Sequence, residues 1–256
     1  NKTKYTQPAI FIYSYILDYL LKDNGIIPNV VAGHSLGEIT SLVSSGCLSY
    51  VDALSFIKLR ADLMYESGKR LPGKMLAVIT KNKDLLDKIL SNTKGIIVIA
   101  NFNSSNQFVI SGESQAIDKF IIETKRIKEY KENTSKIRII PLSVSGAFHS
   151  PLMKKTRINL ENFLNSVEFN DTKIPIYQNF NPKKNYKVCD IKLNLINQID
   201  NSVRWLEIIN NMKKDYIVNF IEVGPKNILT NLNKNIIPEL KSFNTESMNI
   251  FKKYNV

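Results

Sequence analysis

Residues 33–38, Gly33-His34-Ser35-Leu36-Gly37-Glu38, constrain this chain more than any other stretch. An apolar run, Ile26-Ile27-Pro28-Asn29-Val30-Val31-Ala32, leads into them, and a helical pattern from Ile39 to Ser45 leads out. Strand, tight turn and helix with a serine at the apex make a nucleophile elbow. The turn is sharp, so side chains at Gly33 and Gly37 are expected to collide with the neighbouring strand and helix. The serine oxygen is thereby lifted to the edge of a sheet. The helix N-terminus supplies N–H groups and partial positive charge where an oxyanion would form.

A chain of 256 residues is long enough to bury roughly 70–75% of its unfolded surface. One domain with an inserted subdomain is the expected organisation. Thirty-five basic against twenty-three acidic residues leave a net charge of +12. That excess favours anionic partners. Lys and Asn are plentiful throughout, so compositional drift is the competing explanation. No motif supports nucleic-acid binding. Cys47 and Cys189 form no metal or redox motif, and Cys47 reads as a small buried residue. No apolar run reaches the roughly eighteen residues of a membrane span. Asn1-Lys2-Thr3-Lys4-Tyr5 is neither a start methionine nor a signal peptide, so an upstream segment is expected to be missing.

Periodicity divides the chain further. Residues 7–22 read as a helix with Pro8 in its first turn, and a second helix opens at 49–52. Residues 73–140 read as strand, helix, strand, strand, helix, strand, the ferredoxin-like order. They form a small subdomain inserted into a larger α/β-hydrolase-like one made of residues 1–72 and 141–256. In the large part, 174–177 is a short strand, 181–185 a turn, 216–223 a buried strand and 228–237 a last helix. The tail from Ser242 reads as loose.

The chain has two histidines, His34 and His149. Adjacent side chains diverge on an elbow, so His34 is poorly placed to take the Ser35 proton. It reads as a packed histidine bonded to its surroundings, and His149 is the better base. No Asp or Glu stands in a strand-end motif between Ser35 and His149, so a backbone carbonyl is expected to accept the Nδ1 proton and leave a Ser-His dyad. Such a pair suits acyl transfer between thioesters. Arg60 lies within a buried helical stripe, which is unusual for a guanidinium. Either its head snorkels to solvent, or it grips a substrate carboxylate with a two-toothed fork that Lys lacks.

These residues resemble the malonyl-CoA:acyl carrier protein transacylases of type II fatty-acid synthesis and the related acyltransferase domains of polyketide synthases. The resemblance rests on Tyr5-Thr6-Gln7-Pro8-Ala9, the 33–38 elbow, Leu59-Arg60-Ala61-Asp62-Leu63-Met64 and Ala100-Asn101-Phe102-Asn103. It continues through Gly146-Ala147-Phe148-His149-Ser150-Pro151-Leu152-Met153, Val203-Arg204-Trp205 and Glu222-Val223-Gly224-Pro225. It covers nearly the whole chain.

The resemblance implies a role for each position. Ser35 would carry the acyl group, His149 would be the base, and Arg60 would pair with the malonyl carboxylate. Gln198 would orient the histidine through its backbone carbonyl. Asn103 would be the active-site asparagine, and the Leu36 N–H an oxyanion donor. Phe148 would disfavour methyl-branched extenders. The family's N-terminal strand and Gly-Gln-Gly loop, source of the second oxyanion donor, do not occur within residues 1–256 and are expected to lie upstream of Asn1 in the natural protein.

The implied reaction is ping-pong transfer of malonyl from malonyl-CoA to the thiol of an acidic acyl carrier protein, in fatty-acid biosynthesis. No metal and no bound cofactor are needed, and a monomer that engages neither membrane nor nucleic acid is expected. Two rivals stay open: a serine thioesterase or hydrolase, and an inactive acyltransferase-like domain that only docks carrier protein. Composition leans toward a plastid-type organelle such as an apicoplast, with mitochondrion and bacterial cytoplasm as alternatives.

Overall fold

The computed structural model describes residues 3–130, 137–144 and 146–247, with the side chains of residues 128–130 outside that description. Helix α1 (Thr3–Asp23) buries Gln7, Phe11, Ser14, Leu17 and Leu21, a stripe repeating every three to four residues. The helix begins at Thr3, so Pro8 sits inside it rather than in its first turn. This stripe packs on α3 (Tyr50–Arg70), where the Phe11 and Tyr50 rings stack with centroids 5.5 Å apart. Ser49 caps α3 by accepting the Asp52 N–H at 3.1 Å, which satisfies one of the unpaired donors of the first turn.

Between these helices run strand β1 (Val31–Ala32) and helix α2 (Leu36–Ser44). The apolar run from Ile26 yields only a two-residue strand. Pro28 has no N–H to give a ladder, and the partner strand is equally short. That partner, β6 (Ile176–Tyr177), pairs in parallel with β1. It also pairs antiparallel with β7 (Lys184–Asn185), so part of the expected turn at 181–185 is a strand.

The middle of the chain forms a second layer. It contains β2 (Gly73–Ile79), α4 (Lys83–Asn92), β3 (Ile97–Phe102), β4 (Gln107–Glu113), α5 (Ser114–Tyr130) and β5 (Arg138–Pro141). The strands make one antiparallel sheet in the order β3-β4-β2-β5, the ferredoxin-like arrangement. Register sets Val78 opposite Phe108 and Leu76 opposite Ile110. With Leu86, Ile117 and Phe120 these side chains make an apolar core separate from the main one. Strand β3 is tied to the large part where Val203 accepts the Phe102 N–H at 2.9 Å and donates to Ala100 O at 2.8 Å.

A single 3-10 turn, Pro151–Met153, opens the return path. Helices α6 (Lys154–Asn165), α7 (Val188–Asn197) and α8 (Trp205–Lys214) follow. Strand β8 (Asn219–Glu222), α9 (Ile228–Ile236) and β9 (Lys241–Asn244) close the described chain. Two expectations fail here. β8 is not buried but alternates between exposed and half-buried residues, as a strand of a two-stranded sheet does. The described part of the tail, 242–247, is not loose: β9 pairs in parallel with β8, Phe220 opposite Ser242, and Thr245–Ser247 form a 3-10 turn, while residues 248–256 lie outside the described residues. The ladder groups of β8 need a partner, and this segment supplies it. No helix among the described residues is long and apolar enough to cross a membrane.

Candidate active site

Gly33 is required by close approach. A Cβ there would stand 1.9 Å from the Gly37 carbonyl carbon. Gly37 is a different case, because a Cβ on it would meet nothing within 4 Å. The expected clash at Gly37 is therefore absent: the chain folds back onto Gly33, and the outer side of the helical turn is open.

Ser35 sits at the apex with φ 53° and ψ −102°, and His149 also has a positive φ, 55°. Backbone strain of this kind costs about 1–3 kcal/mol per residue and persists only where neighbours hold it. The two strained residues meet. Ser35 Oγ lies 2.8 Å from His149 Nε2, and His149 Nδ1 lies 2.9 Å from the Gln198 carbonyl oxygen. A carbonyl only accepts, so Nδ1 carries the hydrogen and Nε2 is free to accept the Ser35 proton.

Arg60 does not snorkel. It is 2% exposed, and its Nη2 donates to Ser35 Oγ at 2.9 Å. Nη1 donates to Gln7 Oε1, and Nη2 also reaches Gln198 Oε1 at 3.4 Å. Its Nε is buried with no hydrogen-bond partner among the described residues. Burial pulls the guanidinium down to about 10, against the raising effect of the Glu38 charge, so it stays charged at neutral pH. Burial first, and then the Arg60 charge, push the His149 imidazole down to about 3. His149 is therefore neutral in the resting site.

The remaining expected residues fall around this group. Leu36 is the first residue of α2, where N–H groups have no acceptor within the helix. Gln198 follows the end of α7 and also donates its Nε2 to the Ser35 carbonyl at 3.1 Å. Asn103 is buried and its Oδ1 accepts from His34 Nε2 at 2.9 Å. Phe148 belongs to the main apolar core and adjoins the site through its neighbour His149. Ser145, between the strand and the His149 motif, lies outside the described residues.

Three contributors have no counterpart in the sequence reading: Gln7 as the partner of Arg60, and Gln178 and Asn179 beneath the elbow. Gln7 carries a signal in hindsight, being a polar residue on the buried stripe of α1. No group of three or more His, Cys, Asp or Glu that could hold a metal occurs among the described residues.

Residues 1–250 match the family described as acyl transferase domain. The chain belongs to the acyl transferase family. It is 34% identical over 240 residues to the malonyl CoA-acyl carrier protein transacylase of Synechocystis, covering 93% of this chain and 76% of that protein. The crystal structure of the MCAT of Streptococcus pneumoniae superposes with a TM-score of 0.88 at 33% identity, over 99% of this chain and 81% of that one. A malonyl-transacylase solved in complex with a type II PKS acyl-carrier protein matches with a TM-score of 0.86 at 30% identity, over 95% of this chain and 77% of that one. Within this acyltransferase, His149 and Arg60 converge on the Ser35 hydroxyl, and Gln198 holds both of them.

Proposed function

We propose that the chain moves a malonyl group from malonyl-CoA to the phosphopantetheine thiol of acyl carrier protein through a malonyl-serine intermediate. The observation that carries this reading is Arg60. A buried guanidinium that makes no salt bridge among the described residues is expensive to keep. Here it lies within 2.9 Å of the nucleophile. Glu38 acts on it only from a distance, and an acyl group ending in a carboxylate supplies a counter-charge in direct contact, beside the nucleophile.

The chemistry follows from the geometry. His149 Nε2 takes the Ser35 proton as Oγ attacks the thioester carbon. The Leu36 N–H faces the developing oxyanion. The C–S bond then breaks, and His149 returns its proton to the departing CoA sulfur. The carrier thiol reverses these steps: His149 takes its proton, sulfur attacks the malonyl-serine, and Ser35 Oγ leaves protonated. The Gln198 carbonyl holds the imidazolium that forms in each half. When the substrate carboxylate neutralises Arg60, the repulsion that depresses His149 is relieved, so an acid-bearing acyl group strengthens its own base. Asn103 supports the elbow through His34, and Phe148 narrows the room for a branched acyl group.

The net charge of +12 favours encounter with anionic CoA and carrier. The working state is a monomer with no bound cofactor. The organellar compartment has composition as its only support, since the relatives named above that carry an organism are bacterial.

Incubation with malonyl-CoA, followed by intact mass measurement, tests the reading. A malonyl adduct that disappears in Ser35→Ala and discharges onto holo carrier protein is expected. Adduct lost to water faster than to carrier would instead identify a thioesterase.

A further inference from the structure

We propose that Glu38 is a positioning residue, which holds the nucleophile elbow in its strained shape through Asn179. Ser35 needs such a holder, because its φ of 53° is unfavourable for a residue with a side chain. The Asn179 amide brackets it. Its Oδ1 accepts the Ser35 N–H at 2.7 Å, and its Nδ2 donates to the Gly33 carbonyl at 2.6 Å. The Ser35 N–H is thereby committed to the fold.

Asn179 is in turn fixed from Glu38. Its backbone N–H donates to Glu38 Oε2 at 2.6 Å. The other carboxylate oxygen, Oε1, accepts from Gln178 Nε2 at 3.1 Å. Gln178 is itself anchored on α7, donating to Ile191 O at 3.0 Å and accepting from Asn194 Nδ2 at 3.1 Å. Glu38 lies one helical turn after Ser35 and donates its own N–H to the Ser35 carbonyl at 3.2 Å. The hydrogen bonds thus close a ring from Ser35 through α2, Glu38 and Asn179 back to Ser35.

Glu38 is 0% exposed, and both its oxygens face donors. A carboxylate suits that setting, whereas an amide would point an N–H at an N–H. Four groups act on it: the Asn179 N–H, Gln198, Gln178 and the Arg60 charge on α3. Arg60 is the one charged group among them, and burial outweighs all four to bring the carboxyl up to about 7. Protonation places an O–H against a donor and loosens the ring.

The test is acylation of Ser35 by two probes, malonyl-CoA and the uncharged p-nitrophenyl acetate. The neutral ester reads the elbow whatever the natural acyl group is. Glu38→Gln should slow both reactions by a similar factor, about tenfold or more, with KM little changed. Arg60→Ala should slow the malonyl reaction selectively. In a double-mutant cycle, Glu38→Gln should add little to Asn179→Ala, because one acts through the other. Gln178→Met removes a single donor to Glu38 and should slow the neutral ester severalfold, which keeps the test open if Glu38→Gln fails to fold. Independent, multiplying effects of Glu38→Gln and Asn179→Ala would overturn the proposal. So would an unchanged neutral-ester rate in Gln178→Met or Glu38→Gln.

Discussion

The two histidines stand on either side of one serine and do different work. His34 is next to Ser35 in the chain, yet its Nε2 points to Asn103 on the small subdomain, and its ring lies 5.8 Å from that of Trp205. His149 is 114 residues away, yet its Nε2 meets the Ser35 oxygen. Burial lowers the pKa of both. What separates them is the partner of Nε2, Asn103 Oδ1 for one and Ser35 Oγ for the other. Neighbours on a tight turn point apart, so the base for the serine has to come from elsewhere. The nearer ring is left to join the elbow to the adjoining subdomain.

The comparison breaks most easily on rate. His149→Ala should lower the rate of Ser35 acylation by roughly 10²–10⁴, the usual range for a lost general base. His34→Ala should lower it by no more than about tenfold. Equal losses from the two variants would erase the distinction.

A second effect of the buried base shows in stability. The folded pKa of His149 lies at about 3, below the ordinary value of about 6.5. Between those values the unfolded chain binds a proton that the folded chain does not, so His149 makes stability fall as pH falls from about 6.5 to about 3. Glu38, raised to about 7, acts in the opposite sense between its ordinary value of about 4.3 and that point. Chemical denaturation of His149→Gln should therefore show a smaller acid loss than the parent. The difference should approach 1.4 kcal/mol per pH unit over that window, and parallel curves would rule it out.

The smallest effects sharpen the comparison at the turn itself. Asn103→Ala, which strands the His34 N–H, should lower stability by about 1–3 kcal/mol while leaving the rate within about tenfold. Gly37→Ala should leave the melting temperature unchanged or raise it, since a Cβ there meets open space and Ala favours helix over Gly by about 1 kcal/mol. Gly33→Ala should prevent correct folding. A Gly37→Ala protein as unstable as Gly33→Ala would contradict the geometry of the elbow.

Much of this was legible in the residues. The elbow, the four strands of the small sheet and the place of Arg60 on a buried helical stripe follow from local pattern, because each is set by neighbours in sequence, whereas the stripe leaves open whether the Arg60 head reaches solvent, which its partners decide. The side chains that hold the site were harder to read. Asn179 and Gln178 follow a two-residue strand and carry no motif, and their importance comes from lying under a turn more than a hundred residues earlier. The β8–β9 pairing was missed for a similar reason. Its second strand is mostly polar and lies near the end of the described chain, and what holds it, the open edge of β8 and the Thr230 and Asn233 side chains of α9, is not visible in its own pattern.

The central claim is that a buried guanidinium selects an acyl group ending in an acid for a serine activated from a distance. Its most direct test is the rate at which Ser35 is acylated by malonyl-CoA against acetyl-CoA, followed by intact mass in the parent protein and in Arg60→Ala. The parent should prefer malonyl by at least about a hundredfold, the scale of a buried ion pair worth about 3–5 kcal/mol. In Arg60→Ala that ratio should collapse toward one. A parent protein that takes both acyl groups equally, or an Arg60→Ala protein that keeps the preference, would contradict the account.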